Sequence, residues 1–204
     1  MKLISGQYSL VIVNPAITPM AAAAFRDWEK FGKLTQEMII PPLFRAELGA
    51  NIAIQAPEGK VEVIYKSTDF GKDFQTARNV VKALLNAFQA FETTAVGVNF
   101  KAVYIQPDFN FAKWRNKVFR FQFTNSDAFD NKQIVTSQFK LGLRESNFIR
   151  NIEIAEFRKN DDTGLLVNNN NHFDLNTEKK LLGIIDNAEA ILKETKAFVE
   201  NLLD

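Results

Sequence analysis

Two stretches of this chain share one predicted order of elements: a strand, a turn, a second strand and a long amphipathic helix. Asn51-Ile52-Ala53-Ile54 begins the first stretch, and Asn151-Ile152-Glu153-Ile154 begins the second. A strand that alternates apolar and polar residues must bury one face, and an amphipathic helix can cover that face. The pattern therefore predicts an α+β fold, with mostly antiparallel sheet packed against helices.

The boundaries of the first unit follow from turn residues and helical periodicity. Residues 44–66 predict a hairpin whose first strand is 44–55, with a turn before the second strand. Residues 73–91 then carry apolar side chains at steps of three and four, which predicts a helix with one buried face. Asp69 or Asp73 is the expected N-cap of that helix.

The second unit repeats this order with a more polar connection. Alternating residues predict strands around 135–143 and 148–154, and Leu165-Leu166-Val167 predicts a third. The run Asn168–Asn171 predicts a loop, because Asn accepts left-handed backbone conformations. A helix is expected over 177–203, with Asn176 or Thr177 as its cap.

Other segments complete the expected architecture. Residues 8–13 and 95–105 predict strands, and Thr18-Pro19 predicts the start of a helix that ends near Gly32. Pro41-Pro42 predicts an extended connection, because proline blocks helix. A short helix or loop is expected near 109–116, followed by a strand at 117–124.

The predicted fold is thus one compact α+β domain over 1–204, with mostly antiparallel sheet covered by three main helices. Two similar strand-strand-helix halves, at about 44–105 and 134–204, are a further hypothesis. It rests on element order, since only the Asn-Ile-x-Ile tetrapeptide matches between the halves. Duplication is therefore the less favoured explanation of the pattern.

Composition limits the classes of function. The chain has 204 residues, a net charge of +1 and no cysteine. A charge so close to zero gives no overall attraction to nucleic acid or anionic membranes, and thiolate chemistry is excluded. The 19 phenylalanines suit a dry core or an apolar interface. No signal peptide or membrane-spanning segment is predicted, so a cytoplasmic protein is expected.

The best positive signal is a stretch in which basic and aromatic residues alternate. Such side chains can hold phosphates and stack bases on a sheet surface. As a strand, however, this segment would place Lys117, Phe119 and Phe121 on one nearly uncharged face, which favours a core. The candidate binding residues are Lys113, Trp114, Arg115, Lys117 and Arg120.

His172 is the only histidine, and it lies two residues before Asp174. On an extended chain both side chains would point to one side, where they could face a metal or act in hydrolysis. A hydrolytic metal site needs three or more protein ligands, and the others would have to come from distant carboxylates. A polar connection between a strand and a helix is the stronger interpretation, so no metal, cofactor or catalytic residue is assigned.

The sequence favours a non-enzymatic binding or assembly protein that acts through a protein partner or through self-association. This prediction rests on the absence of cofactor motifs, the near-zero charge and the abundance of phenylalanine. Two alternatives stay open: single-stranded nucleic-acid binding through residues 113–121, and a carboxylate- or metal-assisted hydrolase around His172 and Asp174.

Overall fold

The computed structural model describes the greater part of the chain. Arg120 and the predicted helix caps Asn176 and Thr177 lie outside the described residues. The predicted strand at 117–124 also falls outside them from residue 120 onward. The described residues are 1–25, 27–40, 42–67, 69–88, 92–119, 138–175 and 178–203.

In the described part of the chain, nine strands form one antiparallel sheet in the order β2-β3-β4-β5-β1-β6-β9-β8-β7. Consecutive strands β2 to β5 form one meander and β7 to β9 another, and the central pair β1–β6 joins them. The strands are β1 (Lys2–Val13), β2 (Leu34–Ile40), β3 (Leu43–Leu48), β4 (Ile52–Pro57), β5 (Lys60–Tyr65), β6 (Ala95–Ile105), β7 (Gln138–Arg144), β8 (Ile149–Lys159) and β9 (Asp162–Asp174). The predicted α+β class with a large antiparallel sheet is confirmed.

Among the described helices, Lys72–Ala87 and Ala188–Leu203 are the longest, with 16 residues each. Thr18 caps the first helix of the chain by accepting a hydrogen bond from the Ala21 amide at 3.0 Å, as predicted. Trp28–Lys30 adds a single 3-10 turn. The α-helices are α1 (Pro19–Ala24), α2 (Lys72–Ala87), α3 (Phe111–Phe119), α4 (Glu178–Asp186) and α5 (Ala188–Leu203).

All of the described helices pack on one face of the sheet. Tyr8 of β1 contacts Phe74 of α2, and Phe44 of β3 stacks on Trp28. At the other end, Phe139 of β7 contacts Phe111 of α3. The strand registers put these sheet residues on the same side, so a single continuous core lies between the sheet and its helices. The helices predicted over 73–91 and 177–203 cover this face of the sheet as α2 and as the pair α4 and α5. The second predicted helix is divided at Asn187.

Polar residues are buried beneath α5, where an apolar core was expected. Asn171 of β9 donates to the Thr195 hydroxyl at 2.8 Å, and Asn169 donates to the Asn171 side-chain oxygen at 2.9 Å. The Thr195 hydroxyl in turn donates to the Ile191 carbonyl at 2.8 Å. Each bond is directional, so this chain of contacts fixes how α5 sits on the sheet.

A buried arginine lies beside this chain of contacts. The Arg150 side chain is 2% exposed and lies between the rings of Phe198 and Phe148, at 4.6 and 5.4 Å from their centroids. Its guanidinium approaches the carboxylates of Glu145 and Glu194 at 3.4 Å each. The pairing and the aromatic contacts offset part of the cost of burying this charge, and its Nε and Nη1 atoms have no hydrogen-bond partner among the described residues.

Several predicted boundaries are wrong. Residues 44–55 form two strands joined by a turn at Gly49, whose φ of 60° suits glycine, so this region is a meander of three strands. Strand β2 was not predicted; with β3 it makes a second hairpin around Pro42, where an extended connection was expected. The cap of α2 is Gly71 rather than Asp69 or Asp73, and this residue provides no side-chain hydrogen bond to the helix.

Two further differences affect the candidate site. A short helix or loop was predicted near 109–116, and a helix is found at Phe111–Phe119. Residues 117–119 therefore belong to α3 and not to a strand. The run Asn168–Asn171 is not a loop but the middle of β9, the longest strand of the sheet. Both Asn-Ile-x-Ile segments lead into a hairpin followed by a helix, which is the predicted element order; a true duplication stays a hypothesis.

Candidate binding face of the sheet

The side of the sheet opposite the helices carries polar side chains across its whole width. We call it the open face, because no described helix covers it. The registers align one residue from each of eight strands into a row across this face. From β3 to β7 the row contains Glu47, Ala53, Ile64, Ser9, Asn99, Asn170, Asn151 and Gly142. Its central members are hydroxyl and amide groups, which both donate and accept hydrogen bonds.

A depression of about 420 Å³ lies at the centre of the open face. Its floor contains the small or short side chains of Ser9, Ala53 and Ile64, which are nearly buried among longer neighbours. The longer side chains around it are Gln7, Arg45, Gln55, Glu62, Lys66, Asn99, Lys101 and Asn168. The volume falls in the range of ligand pockets, but the lining is polar where such pockets are usually apolar.

One end of the depression is a charge cluster centred on Glu47. Its carboxylate lies 3.2 Å from both the Arg45 guanidinium and the Lys66 ammonium. Hydrogen bonds from Lys66 and then Arg45 stabilise the ionised form and hold the pKa of Glu47 below its usual range. The cluster therefore pairs one carboxylate with two cations and keeps a net positive charge at neutral pH.

Asn99 has room in the middle of the depression because the residue two positions before it in β6, on the same face, is a glycine. A Cβ at Gly97 would lie 3.2 Å from Val11 Cβ and 3.3 Å from the Asn99 side-chain oxygen, so any larger residue would crowd the amide. The Asn99 amide donates to the Ser9 hydroxyl at 3.3 Å. Its buried oxygen has no hydrogen-bond partner in the described part of the chain. An occupant of the depression could therefore donate a hydrogen bond to that oxygen.

Glu62 and Lys101 lie diagonally opposite each other across the depression, in the two strands that flank β1. Neither forms an ion pair with any residue that the structure describes. Glu62 pairs in register with Val11 of β1, and Lys101 pairs with Gln7 of the same strand. Ser9 lies midway between those two positions. Glu62 and Lys101 thus place a negative and a positive group on the open face, on either side of Ser9.

The predicted pair His172 and Asp174 lies on the same open face, nearer one end of β9. The His172 ring nitrogen Nε2 is 3.0 Å from an Asp174 carboxylate oxygen, so the two side chains do share one side of an extended strand. Among the described residues, no group of three or more His, Cys, Asp or Glu side chains could hold a metal ion. The hydrolase alternative therefore stays a prediction that rests on this one contact.

The basic and aromatic candidates lie on the opposite side of the sheet. Lys113, Trp114, Arg115 and Lys117 are all in α3, and Arg120 lies outside the described residues. Trp114 is only 8% exposed and packs against Phe109 and Phe111 within the core. Its ring is therefore not presented for stacking on a base. Lys113 and Lys117 are exposed beside a shallow depression of about 410 Å³.

Sequence reasoning missed the open face because its residues come from strands far apart in the chain. The alternation in 95–105 did assign Asn99 and Lys101 to the polar side of a strand, which is where they lie. Their neighbours Ser9, Glu62 and Asn168 could be placed beside them only if the order of the strands were known. That order depends on long-range pairing, for which the local pattern carries no signal.

Comparison with known proteins adds no functional information. No protein-family model, curated protein or solved structure matches the chain. Within the described residues, no helix combines the length and apolar character needed to cross a membrane.

Proposed function

We propose that this chain is a non-enzymatic binding or assembly protein that makes protein–protein contacts through the open face of its sheet. One observation carries the proposal: all of the described helices pack on one side, which leaves a broad, ordered polar surface on the other. A large sheet holds its backbone in a fixed position, so no backbone has to be ordered when a partner binds.

The reason for expecting association differs from the one that the composition suggested. In the described part of the chain, phenylalanine side chains are buried or half-buried, and the large exposed apolar residues are scattered. They are Ile4, Met20, Ile39 and Leu182. Support for a binding surface therefore comes from the amides, hydroxyls and charges of the open face and not from an exposed aromatic patch.

The experiment compares two double substitutions that add the same charge to opposite sides of the sheet. Asn168→Arg with Asn170→Arg changes two exposed positions of the open face, and Asn79→Arg with Asn86→Arg changes two exposed positions of α2. Association is measured by chemical cross-linking in cell extract and by sedimentation velocity of the purified protein. We expect the open-face variant to lose the cross-linked species and the α2 variant to keep them.

Two results would contradict the proposal. The first is an open-face variant that keeps every cross-linked species of the unmodified protein. The second is a loss of those species only when the residues of α2 are changed, which would move the binding surface to the helical side. Circular dichroism of each variant separates a lost contact from a lost fold.

A further inference from the structure

One rim of the depression at the centre of the open face is rich in cations. This rim, which we call the lysine rim, is a row across the sheet that contains Lys66, Gln7, Lys101 and Asn168. Gln7 pairs in register with Lys101, and Lys66 continues β5 beside Gln7. With strands about 4.8 Å apart, the Cα atoms of the two lysines are about 10 Å apart. Their long side chains can therefore approach one anionic group from both sides.

The ion pairs around the depression leave the lysine rim positive. Lys101 is exposed and forms no ion pair with any residue that the structure describes. The Lys66 ammonium shares the Glu47 carboxylate with the Arg45 guanidinium, so two cations meet one anion there. Both ends of the rim thus carry positive charge that an anion could neutralise.

Glu62, the other carboxylate that lines the depression, lies away from the lysine rim. It pairs in register with Val11, whereas Gln7 of the rim is four residues away along β1. At a rise of about 3.4 Å per residue, these positions are about 14 Å apart, which exceeds the screening length of about 8 Å at physiological salt. Glu62 therefore repels an anion at the lysine rim only weakly.

The floor of the depression provides both apolar contacts and hydrogen bonds. Ala53 and Ile64 are buried and apolar, whereas Ser9 and Asn99 carry groups that both donate and accept. The Asn99 oxygen has no hydrogen-bond partner among the described residues, and a turn about the last side-chain bond directs it into the depression. A carbon chain with several hydroxyl groups matches this floor, because its C–H groups can pack on Ile64 while its hydroxyls bond to Asn99 and Ser9.

From these features we propose that the depression binds a small organic anion that carries several hydroxyl groups, such as a sugar acid or a sugar phosphate. Its anionic group lies at the lysine rim, and its hydroxyl groups lie over Ser9 and Asn99. The volume of about 420 Å³ is in the range of small-molecule pockets, and a polar lining suits a polyhydroxylated ligand. The inference goes beyond the proposed function, because it requires the depression alone and no protein partner.

Three compounds with carbon chains of equal length separate the two features of the ligand. Gluconate carries a carboxylate and hydroxyl groups, hexanoate carries the carboxylate alone, and sorbitol carries hydroxyl groups alone. Each is titrated into isotope-labelled protein at constant ionic strength, and amide NMR shifts report binding. We expect gluconate to shift the signals of Ser9, Asn99 and Lys101, with a Kd at least about fivefold lower than that of either other compound.

Glycerol phosphate, titrated in the same way, identifies the anionic group. A lower Kd for glycerol phosphate than for gluconate, with shifts of the same residues, would support the site and assign it to phosphate. A higher Kd would support the site and assign it to carboxylate. Shifts by glycerol phosphate that avoid the lysine rim would contradict the inference.

Substitutions test which side chains hold the ligand. Lys101→Glu replaces an attraction by a repulsion and is expected to weaken the Kd for gluconate by about tenfold or more. The matched control, Lys113→Glu, reverses an exposed charge of α3 on the other side of the sheet and should leave the Kd unchanged. Asn99→Ala should weaken gluconate binding but not hexanoate binding, a pattern that loss of the fold would not produce.

Three results would overturn the inference. The first is a Kd for gluconate no lower than that for hexanoate, which would mean that the floor does not recognise hydroxyl groups. The second is a set of NMR shifts confined to residues outside the depression, which would place the anion elsewhere. The third is a Lys101→Glu variant that binds gluconate as tightly as the unmodified protein does, which would remove the lysine rim as the anion site.

Discussion

Four consecutive asparagines in β9 show how differently the two faces of this sheet use one residue type. Asn169 and Asn171 are fully buried beneath α5, where they bond to each other and to Thr195. Asn168 and Asn170 point the other way and are exposed on the open face. The same amide therefore fixes a helix on one side and faces solvent on the other.

The difference follows from what each face must satisfy. On the covered side an amide needs a partner within the protein, because water is excluded and an unpaired polar group is costly. Both amide groups of Asn171 have one, whereas the Asn169 side-chain oxygen has none among the described residues. On the open side water satisfies the amides until something displaces it. Buried amides thus determine the position of a helix, whereas exposed amides are available for binding.

The largest effect is expected from changing the residue that sets the register of β9. A Cβ at Gly164 would lie 1.9 Å from the Tyr104 carbonyl oxygen and 2.8 Å from Ile105 Cα, so the backbone of β9 or β6 would have to move. A slip of one residue would exchange the buried and exposed asparagines. We expect Gly164→Ala to lower the free energy of unfolding by about 3 kcal/mol or more, measured by urea denaturation.

Gly142 of β7 provides the control for this prediction. Its nearest neighbour would lie 3.6 Å from an added Cβ, an ordinary contact, and it faces the open side. Gly142→Ala should therefore change the free energy of unfolding by less than about 0.5 kcal/mol. Equal effects of the two substitutions would show that the close approach at Gly164 does not constrain the register.

A smaller effect is expected from removing one buried amide. Asn171→Ala deletes the bond to Thr195 and leaves the Asn169 amide without its acceptor, which should lower the free energy of unfolding by about 2 kcal/mol. Asn170→Ala, one residue away on the open face, should change it by less than about 0.5 kcal/mol. Urea denaturation of both variants measures the contrast directly, and a contrast below about 1 kcal/mol would contradict the assigned roles.

The parts of the fold that the sequence predicted are those with a strong local pattern. Strand β6 alternates along its whole length, and α2 and α5 repeat apolar residues at helical spacing, so each was assigned close to its true position. Thr18 and Pro19 specify a helix start by their own chemistry. In these segments local preference and burial agree.

The segments that were not predicted are those in which tertiary contacts oppose local preference. Asparagine is disfavoured in strands, yet β9 pairs with both β6 and β8 through the asparagine run. Asn171 gains its partner Thr195 only because α5 lies above it, and Asn169 in turn bonds to Asn171. The open face was missed for a related reason, since Ser9, Glu62 and Lys101 become neighbours only through the strand order.

The smallest effect at neutral pH, and one with a distinctive pH dependence, is expected at Tyr104 on the covered side. Its hydroxyl is buried, and no described residue accepts or donates a hydrogen bond there. Burial, with smaller contributions from Glu200 and Tyr8, raises the pKa of Tyr104 well above its ordinary value. Tyr104→Phe removes an unsatisfied polar group, so at pH 7 we expect the free energy of unfolding to stay the same or to rise by up to about 1 kcal/mol.

The raised pKa determines in which direction the free energy of unfolding changes at high pH. Because the folded-state pKa is raised, unfolded Tyr104 loses its proton near pH 10 while the folded residue keeps it. The free energy of unfolding is therefore not reduced by the ionisation of Tyr104 below about pH 10. Above that pH it declines by about 1.4 kcal/mol per pH unit. Tyr104→Phe should remove that share of the decline, so its stability advantage over the unmodified protein should grow between about pH 10 and 11 in urea denaturation. A loss of more than about 1 kcal/mol at pH 7 would mean that the hydroxyl has a partner, and that the covered face satisfies this group as fully as it satisfies Asn171.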